Sequence, residues 1–151
     1  MRTLASALLV VLPLTALPAA RAADGLTAVK SPYSAKETID RLESAAKARN
    51  LVIFVRIDHA AGAQKAGRAL RPTELLIFGN PQGGTPLMEC AQSAGIDLPL
   101  KALAWQDESG QVWLGYNEPQ FLAARHGAAN CAVVPNLKKA LEALAAEATK
   151  P

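Results

Sequence analysis

The two apolar segments on either side of residues 107–110 constrain the fold of this chain most strongly. Residues 102–106 and 111–116 are separated only by Asp-Glu-Ser-Gly. This short connection predicts a β-hairpin, because parallel strands need a crossover of about a dozen residues or more. Side chains alternate along a strand, so Trp113 and Gly115 are predicted to share one face. The hairpin therefore excludes an all-parallel sheet.

Three more segments, residues 25–30, 51–55 and 73–78, have the composition of strands. Residues 51–55 are continuously apolar and rich in β-branched side chains, which predicts a strand in the centre of the sheet. The region after this strand, residues 60–69, has many small residues and is predicted to be a loop with at most a helical turn.

Helices are predicted from capping residues and from apolar side chains at helical spacing. Ser34 and Glu37 form a capping box that begins the first of them. Thr85 is the predicted N-cap of the second helix, with Pro86 at its first position. The predicted helices cover residues 34–50, 86–94, 118–126 and a segment that begins at residue 135.

This order of elements favours an α+β domain built from two layers. The helices are too few to cover both faces of a sheet. We therefore expect an antiparallel, or at most mixed, sheet of about five strands with the helices packed mainly on one face. Residues 23–151 are predicted to form this single domain.

The first 22 residues are predicted to be a secretory signal peptide. Arg2 precedes an uncharged apolar run over residues 4–17, and Ala20-Arg21-Ala22 offers small residues for cleavage. A membrane anchor is the alternative, but an apolar run of about 14 residues is short of the ~20 that span a bilayer. The sequence therefore predicts a periplasmic or secreted protein with no membrane span after cleavage.

The charge of the chain gives no indication of nucleic-acid binding. The full sequence has 16 Lys and Arg against 13 Asp and Glu, a net charge of +3. Removal of Arg2 and Arg21 leaves 14 against 13, a net charge of about +1. No run of basic residues with interleaved aromatics is present. Part of the positive charge therefore belongs to the leader.

Cys90 and Cys131 are the only two cysteines of the chain. An oxidising compartment allows one disulfide between them. The alternative is a pair of buried thiols that pack as small apolar side chains. Both interpretations stay open at the level of the sequence.

Residues 78–88, Phe-Gly-Asn-Pro-Gln-Gly-Gly-Thr-Pro-Leu-Met, contain the spacing of a phosphate-binding loop. Gly79 and Gly84 are separated by four residues, but Thr85 stands where such a loop needs lysine, which excludes nucleotide hydrolysis. Two interpretations remain. The backbone amides at a helix start can hold a small anion, or the segment can be a conformationally demanding turn.

Polar residues follow several predicted elements and offer a site for acid–base chemistry. His59 and His126 are the only histidines, and Asp58 precedes the first of them. Imidazole titrates near neutral pH, whereas a metal site needs three or four ligands that no local spacing supplies here. We therefore expect no metal and no cofactor.

Three long motifs resemble the family of domains of unknown function 302 (DUF302). They are RIDHAAGA (residues 56–63), LRPTELLIFGNPQGGTPLM (70–88) and DLPLKALAWQDESGQVWLGYNEPQFLAARHG (97–127). The resemblance implies a compact α+β domain with an antiparallel sheet, often a homodimer, and no established activity. Cys90 and Cys131 lie outside the family pattern.

The sequence and the resemblance together favour a non-catalytic module that binds a small ligand with an anionic or carbonyl group. We expect its residues to converge on one pocket: Asp58, His59, Arg71, Asn80, Gly84, Thr85, Tyr116, Asn117 and His126. One alternative is a structural or homodimerisation domain in which Arg71 pairs with Asp58. The other is a histidine-dependent enzyme, with or without a metal.

Overall fold

The computed structural model describes residues 23–151, so the predicted signal peptide lies outside the described residues and stays a prediction. The elements are β1 (Leu26–Ser31), α1 (Ala35–Ala48), β2 (Val52–Asp58), α2 (His59–Lys65), β3 (Thr73–Gly79), α3 (Pro81–Cys90), a 3₁₀ helix η1 (Gln92–Ile96), β4 (Leu100–Gln106), β5 (Val112–Asn117), α4 (Pro119–Arg125) and α5 (Val134–Thr149). Within residues 23–151, no helix is both long and apolar enough to span a bilayer.

The five strands form one open sheet in the order β1-β5-β4-β3-β2, and every neighbouring pair is antiparallel. This confirms the predicted α+β fold and the β4–β5 hairpin. The predicted central position of β2 is wrong, because β2 forms one edge of the sheet. Its apolar run shows only that both of its faces are apolar, while its position depends on long-range pairing with β3.

The core lies between one face of the sheet and the helices α1 and α5. Leu76 and Phe78 of β3 and Leu114 of β5 are fully buried there, against Ile39 of α1 and Leu144 of α5. Full burial of each such side chain stabilises the fold by about 1.5–3 kcal/mol. The apolar sides of α1 and α5 are therefore buried against this face of the sheet.

The capping box begins α1 as predicted. The Ser34 hydroxyl accepts a hydrogen bond from the backbone N–H of Glu37 at 3.1 Å. After the helix, Asn50 has a φ of 57°, a left-handed conformation that asparagine tolerates better than most residues. The structure differs from the predicted loop over residues 60–69, because His59–Lys65 forms helix α2. There the Asp58 carboxylate caps the helix by accepting from the N–H of Ala61.

The hairpin turn is organised by Asp107. Its carboxylate accepts hydrogen bonds from the indole of Trp113 at 2.7 Å, from the Ser109 hydroxyl and backbone, and from the Gln111 backbone. These donors, the Trp113 indole first, lower the pKa of Asp107 to about 2. These hydrogen bonds therefore help to fix the register of β4 on β5.

The second face of the sheet carries large apolar side chains, and within residues 23–151 no helix covers it. Pairing places Ile57, Leu75 and Leu103 in one row across β2, β3 and β4. Trp105 lies flat over Gly115, where an added Cβ would stand 2.7 Å from the indole ring. A sheet face open to water is normally polar, but most residues of β2, β3 and β4 on this face are apolar.

Candidate ligand-binding cleft

The glycine-rich segment is the beginning of helix α3 and is not a loop. Asn80 is the N-cap, because its side-chain oxygen accepts from the N–H of Gly83 at 2.8 Å, and Pro81 occupies the first turn. The prediction that Thr85 caps a helix beginning at Pro86 is wrong. Asn80 followed by Pro81 is the stronger start, since asparagine is a better cap and proline suits the first position.

Two amides at this helix start are used by the chain itself. The N–H of Gly83 donates to Asn80, and the N–H of Gly84 donates to the Asn80 carbonyl at 3.1 Å. Pro81 has no N–H to offer. The Asn80 cap therefore uses the two glycine N–H groups that a small anion would need.

The predicted site residues divide between the two ends of the sheet. Asp58 pairs with Glu74 at one end of β2, whereas Val52 pairs with Gly79 at the other end. Five residues of β3 separate these ends, which corresponds to about 17 Å at ~3.3 Å per residue. The prediction that all nine residues converge on one pocket is therefore wrong, because they follow strands that run in opposite directions.

Asp58, His59 and Arg71 lie at the first end. The Asp58 carboxylate caps α2, and His59 is exposed at the start of that helix. Arg71 donates to the Gln106 carbonyl at 3.1 Å and lies 4.0 Å from the Glu108 carboxylate. The predicted pair of Arg71 with Asp58 is not formed, and Arg71 instead ties β3 to the hairpin.

The remaining predicted residues lie at the second end, but they do not form one cluster either. Tyr116 is buried in the core beneath the helices, and burial raises the pKa of its phenol. Asn117 is exposed at the end of β5. His126 follows α4 and contacts a separate polar group. Asn80, Gly84 and Thr85 are the three that border a common space.

That space is a cleft of about 620 Å³ between α3, η1 and α5. Leu137, Leu141 and Leu144 of α5 form one wall, Met88 of α3 lies opposite, and Phe54 of β2 borders the opening. Its polar lining residues are Asn80, Gln82, Thr85 and Asn136, and among residues 23–151 no charged residue lines it. Its size and lining are typical of sites that hold small, mostly apolar ligands.

Comparisons with known proteins agree with this architecture. The family model described as "Domain of unknown function DUF302" matches residues 27–144. The chain belongs to the DUF302 family. The crystal structure of an uncharacterised conserved DUF302 protein from Bacillus stearothermophilus superposes with a TM-score of 0.74 and 23% identity, over 83% of this chain and 99% of the other. At that identity the likeness shows the fold alone.

The DUF302 domain is also similar to part of three longer proteins. They are named fluoride-specific ion channels, from Brucella suis, Brucella abortus and Brucella melitensis. The identity is 54% over 102 residues, which are 68% of this chain. The matched region spans only 40% of the first relative and 38% of the other two.

A disulfide joins two sides of the cleft in this DUF302 domain. Cys90 ends α3, Cys131 precedes α5, and their Cα atoms lie 6.0 Å apart. Helix α3 contains Gly83, Gly84 and the internal Pro86, all poor helix formers. The bond therefore anchors a helix that has little stability of its own.

A polar group on the outer side of η1 was not visible from sequence. His126 Nε2 lies 2.8 Å from Asp97 Oδ2, and its Nδ1 lies 3.0 Å from Ser93 Oγ. Arg125 Nη1 contacts both oxygens of Asp97, at 2.9 and 3.1 Å. The partners are about 30 positions apart in the chain, so no local spacing indicated them. Within residues 23–151, no cluster of three or more His, Cys, Asp or Glu side chains could hold a metal ion.

Proposed function

We propose that this DUF302 domain is a binding module for a small, largely apolar ligand that carries one polar group such as a carbonyl. The cleft between α3, η1 and α5 supports the proposal, because its volume of about 620 Å³ lies within the range of small-molecule sites. The disulfide beside it is compatible with the predicted export, since such bonds persist in oxidising compartments.

Of the two groups expected from the sequence, anionic or carbonyl, the lining of the cleft favours a neutral carbonyl on an otherwise apolar molecule. In the described part of the chain no charged side chain lines the cleft, and Arg71 lies at the other end of the sheet. Burial of an unpaired charge in an apolar site is costly. The side-chain amides of Asn80 and Asn136 border the opening and are suited to donate to a neutral carbonyl.

The test fills the cleft from the side that does not support the core. Ala140 lines the cleft yet is exposed on α5, so Ala140→Phe narrows the cleft without removing core contacts. Ala143→Phe is the matched control, since Ala143 is exposed on the same helix and does not line the cleft. The probe is the neutral dye Nile red, displaced by a medium-chain methyl ketone.

We expect wild type and Ala143→Phe to bind the dye and the ketone alike, and Ala140→Phe to bind both at least about tenfold more weakly, or roughly 1.4 kcal/mol. Thermal unfolding of the three proteins checks that the fold is intact. Equal affinity of the two phenylalanine variants would show that the dye binds elsewhere.

The Brucella relatives are named fluoride channels, but the lining of this cleft is not suited to bind fluoride. A halide site requires positive charge or several free N–H donors. The residues that the structure describes place no charge in the lining of the cleft, and the amides of Gly83 and Gly84 are used within α3. The geometry therefore favours an apolar ligand over fluoride.

We also propose a second role, the association of two copies through the open face of the sheet. Leu75, Leu103 and Trp105 lie on this face, and Val55 and Ile57 continue it to the edge strand β2. Val55 is 42% exposed and Ile57 37% exposed. Two such faces packed against each other would bury apolar side chains that a monomer leaves in water.

Sedimentation velocity of an Ile57→Lys variant tests this association. We expect wild type to sediment as a dimer and Ile57→Lys as a monomer, because a buried lysine on each copy opposes packing. Ile96→Lys serves as the control, since Ile96 is also an exposed apolar residue but lies on η1. A wild-type protein that remains monomeric at every accessible concentration would rule out the dimer.

A further inference from the structure

We propose that Ser93, His126 and Asp97 form a reactive serine site on the outer side of η1, which accepts the acyl group of a small, unhindered ester. His126 stands between the other two, with Ser93 Oγ at 3.0 Å from Nδ1 and Asp97 Oδ2 at 2.8 Å from Nε2. A nucleophile, a base and a group that orients the base are three of the parts that such chemistry uses.

The hydrogen bonds determine which nitrogen of His126 carries its proton. An ionised carboxylate only accepts, so the bond to Asp97 places the proton on Nε2. Nδ1 of the neutral ring is then the acceptor, and the Ser93 hydroxyl donates to it. This is the tautomer in which His126 can take a proton from Ser93.

The surroundings hold the base and leave the nucleophile accessible. The side chains of His126 and Asp97 are 8% and 15% exposed. Arg125 Nη1 donates hydrogen bonds to both oxygens of the Asp97 carboxylate. Ser93 itself is exposed. The orienting pair is therefore desolvated and fixed, while the hydroxyl faces solvent.

The reaction consumes only the ester and one molecule of water. As Ser93 Oγ bonds to the carbonyl carbon of the ester, its proton passes to His126 Nδ1. The bond to the leaving oxygen then breaks, and His126 returns the proton to that oxygen, which releases an alcohol. Water repeats the sequence on the acyl-serine and releases the acid. Asp97 stabilises the imidazolium throughout.

The open position of the site determines the class of substrate. Ser93 and its helix neighbours Gln92 and Ile96 are exposed on η1, so residues 23–151 offer no buried apolar surface at Ser93 to bind a long acyl chain. The same helix borders the cleft only through Gly95. The serine site and the cleft share no side chain and can be tested separately.

A small alkyl fluorophosphonate tests the site without knowledge of the natural ester. Its phosphorus forms a bond to Ser93 Oγ as fluoride leaves, and the mass of the intact protein and its peptides reports the modified residue. Ser109 is the matched control, because it is also exposed and beside a carboxylate, Asp107, but its hydroxyl donates to that carboxylate. We expect modification at Ser93 and none at Ser109.

Variants of the base separate a reactive serine from a structural hydrogen bond. We expect His126→Gln and Asp97→Asn to slow modification of Ser93 by roughly a hundredfold or more. Circular dichroism identifies any variant that fails to fold, in which case the comparison of Ser93 with Ser109 decides. Equal modification of both serines, none at Ser93, or an unchanged rate in a folded His126→Gln protein would overturn the proposal.

Discussion

Replacement of both Cys90 and Cys131 by serine is expected to lower the free energy of unfolding by about 4 kcal/mol. The disulfide joins two cysteines with a sequence separation of 41. Without this constraint the unfolded chain gains entropy, which lowers its free energy by about 4 kcal/mol. The melting temperature should fall by roughly 10–15 °C for a domain of this size. Chemical denaturation checks the free energy directly.

Loss of the disulfide should destabilise helix α3 before the rest of the domain. Its Gly83, Gly84 and Pro86 give it little intrinsic stability, and it forms one side of the cleft. Binding of the neutral dye should weaken together with the stability. A thiol reductant should reproduce both effects in wild type and change nothing in the double variant. Equal unfolding midpoints of the two proteins would contradict this role of the bond.

An Arg56→Met variant is expected to lose about 2–3 kcal/mol of unfolding free energy, since removal of one partner leaves buried charge without compensation. Arg56 extends from β2 toward the helices, where its Nε donates to Glu74 at 2.7 Å and its Nη1 contacts Asp40. Glu74 is buried in the core face of β3. Urea titration at neutral pH measures the loss.

Lys36→Met provides the control for Arg56→Met. Lys36 also contacts the Asp40 carboxylate, but it is mostly exposed, so its removal should change stability by less than about 0.5 kcal/mol. The double variant Arg56→Met with Glu74→Met should recover much of the loss, because no unpaired charge remains. If Arg56→Met and Lys36→Met were equally stable, the ion pair with Glu74 would not matter.

The pH dependence of the same variant follows from Asp40. The hydrogen bond from Arg56, with that from Lys36, lowers the pKa of Asp40 from its ordinary 3.8. A carboxylate with a lowered pKa stabilises the fold above its unfolded pKa and loses this contribution as the pH falls through its folded pKa. The difference between wild type and Arg56→Met should therefore shrink below about pH 4.

Local chemistry was sufficient to predict the hairpin and the start of α1. The Asp-Glu-Ser-Gly turn and the Ser34 cap act within four residues, and the structure forms both. The edge position of β2 depends on which strand pairs with β3 from the far side, and no local pattern contains that information. The start of α3 was mistaken because Asn80 and Thr85 are both acceptable caps, and the prediction chose the later one.

The site was harder to predict than the fold. The motifs indicated polar residues at the ends of strands, but antiparallel neighbours place successive ends on opposite sides of the domain. Arg71 and His59 were thereby separated from Asn80 and Thr85. The cleft itself is lined by leucines of α5, such as Leu137 and Leu141, which the sequence identified only as an apolar helix stripe.

Methyl NMR shows whether this DUF302 domain binds an apolar ligand between α3 and α5. Leucine-labelled protein is titrated with a medium-chain methyl ketone. We expect the largest shifts and ligand contacts at Leu137, Leu141 and Leu144, which line the cleft. Shifts confined to Leu75 and Leu103 on the open face of the sheet, or none at any leucine, would contradict it.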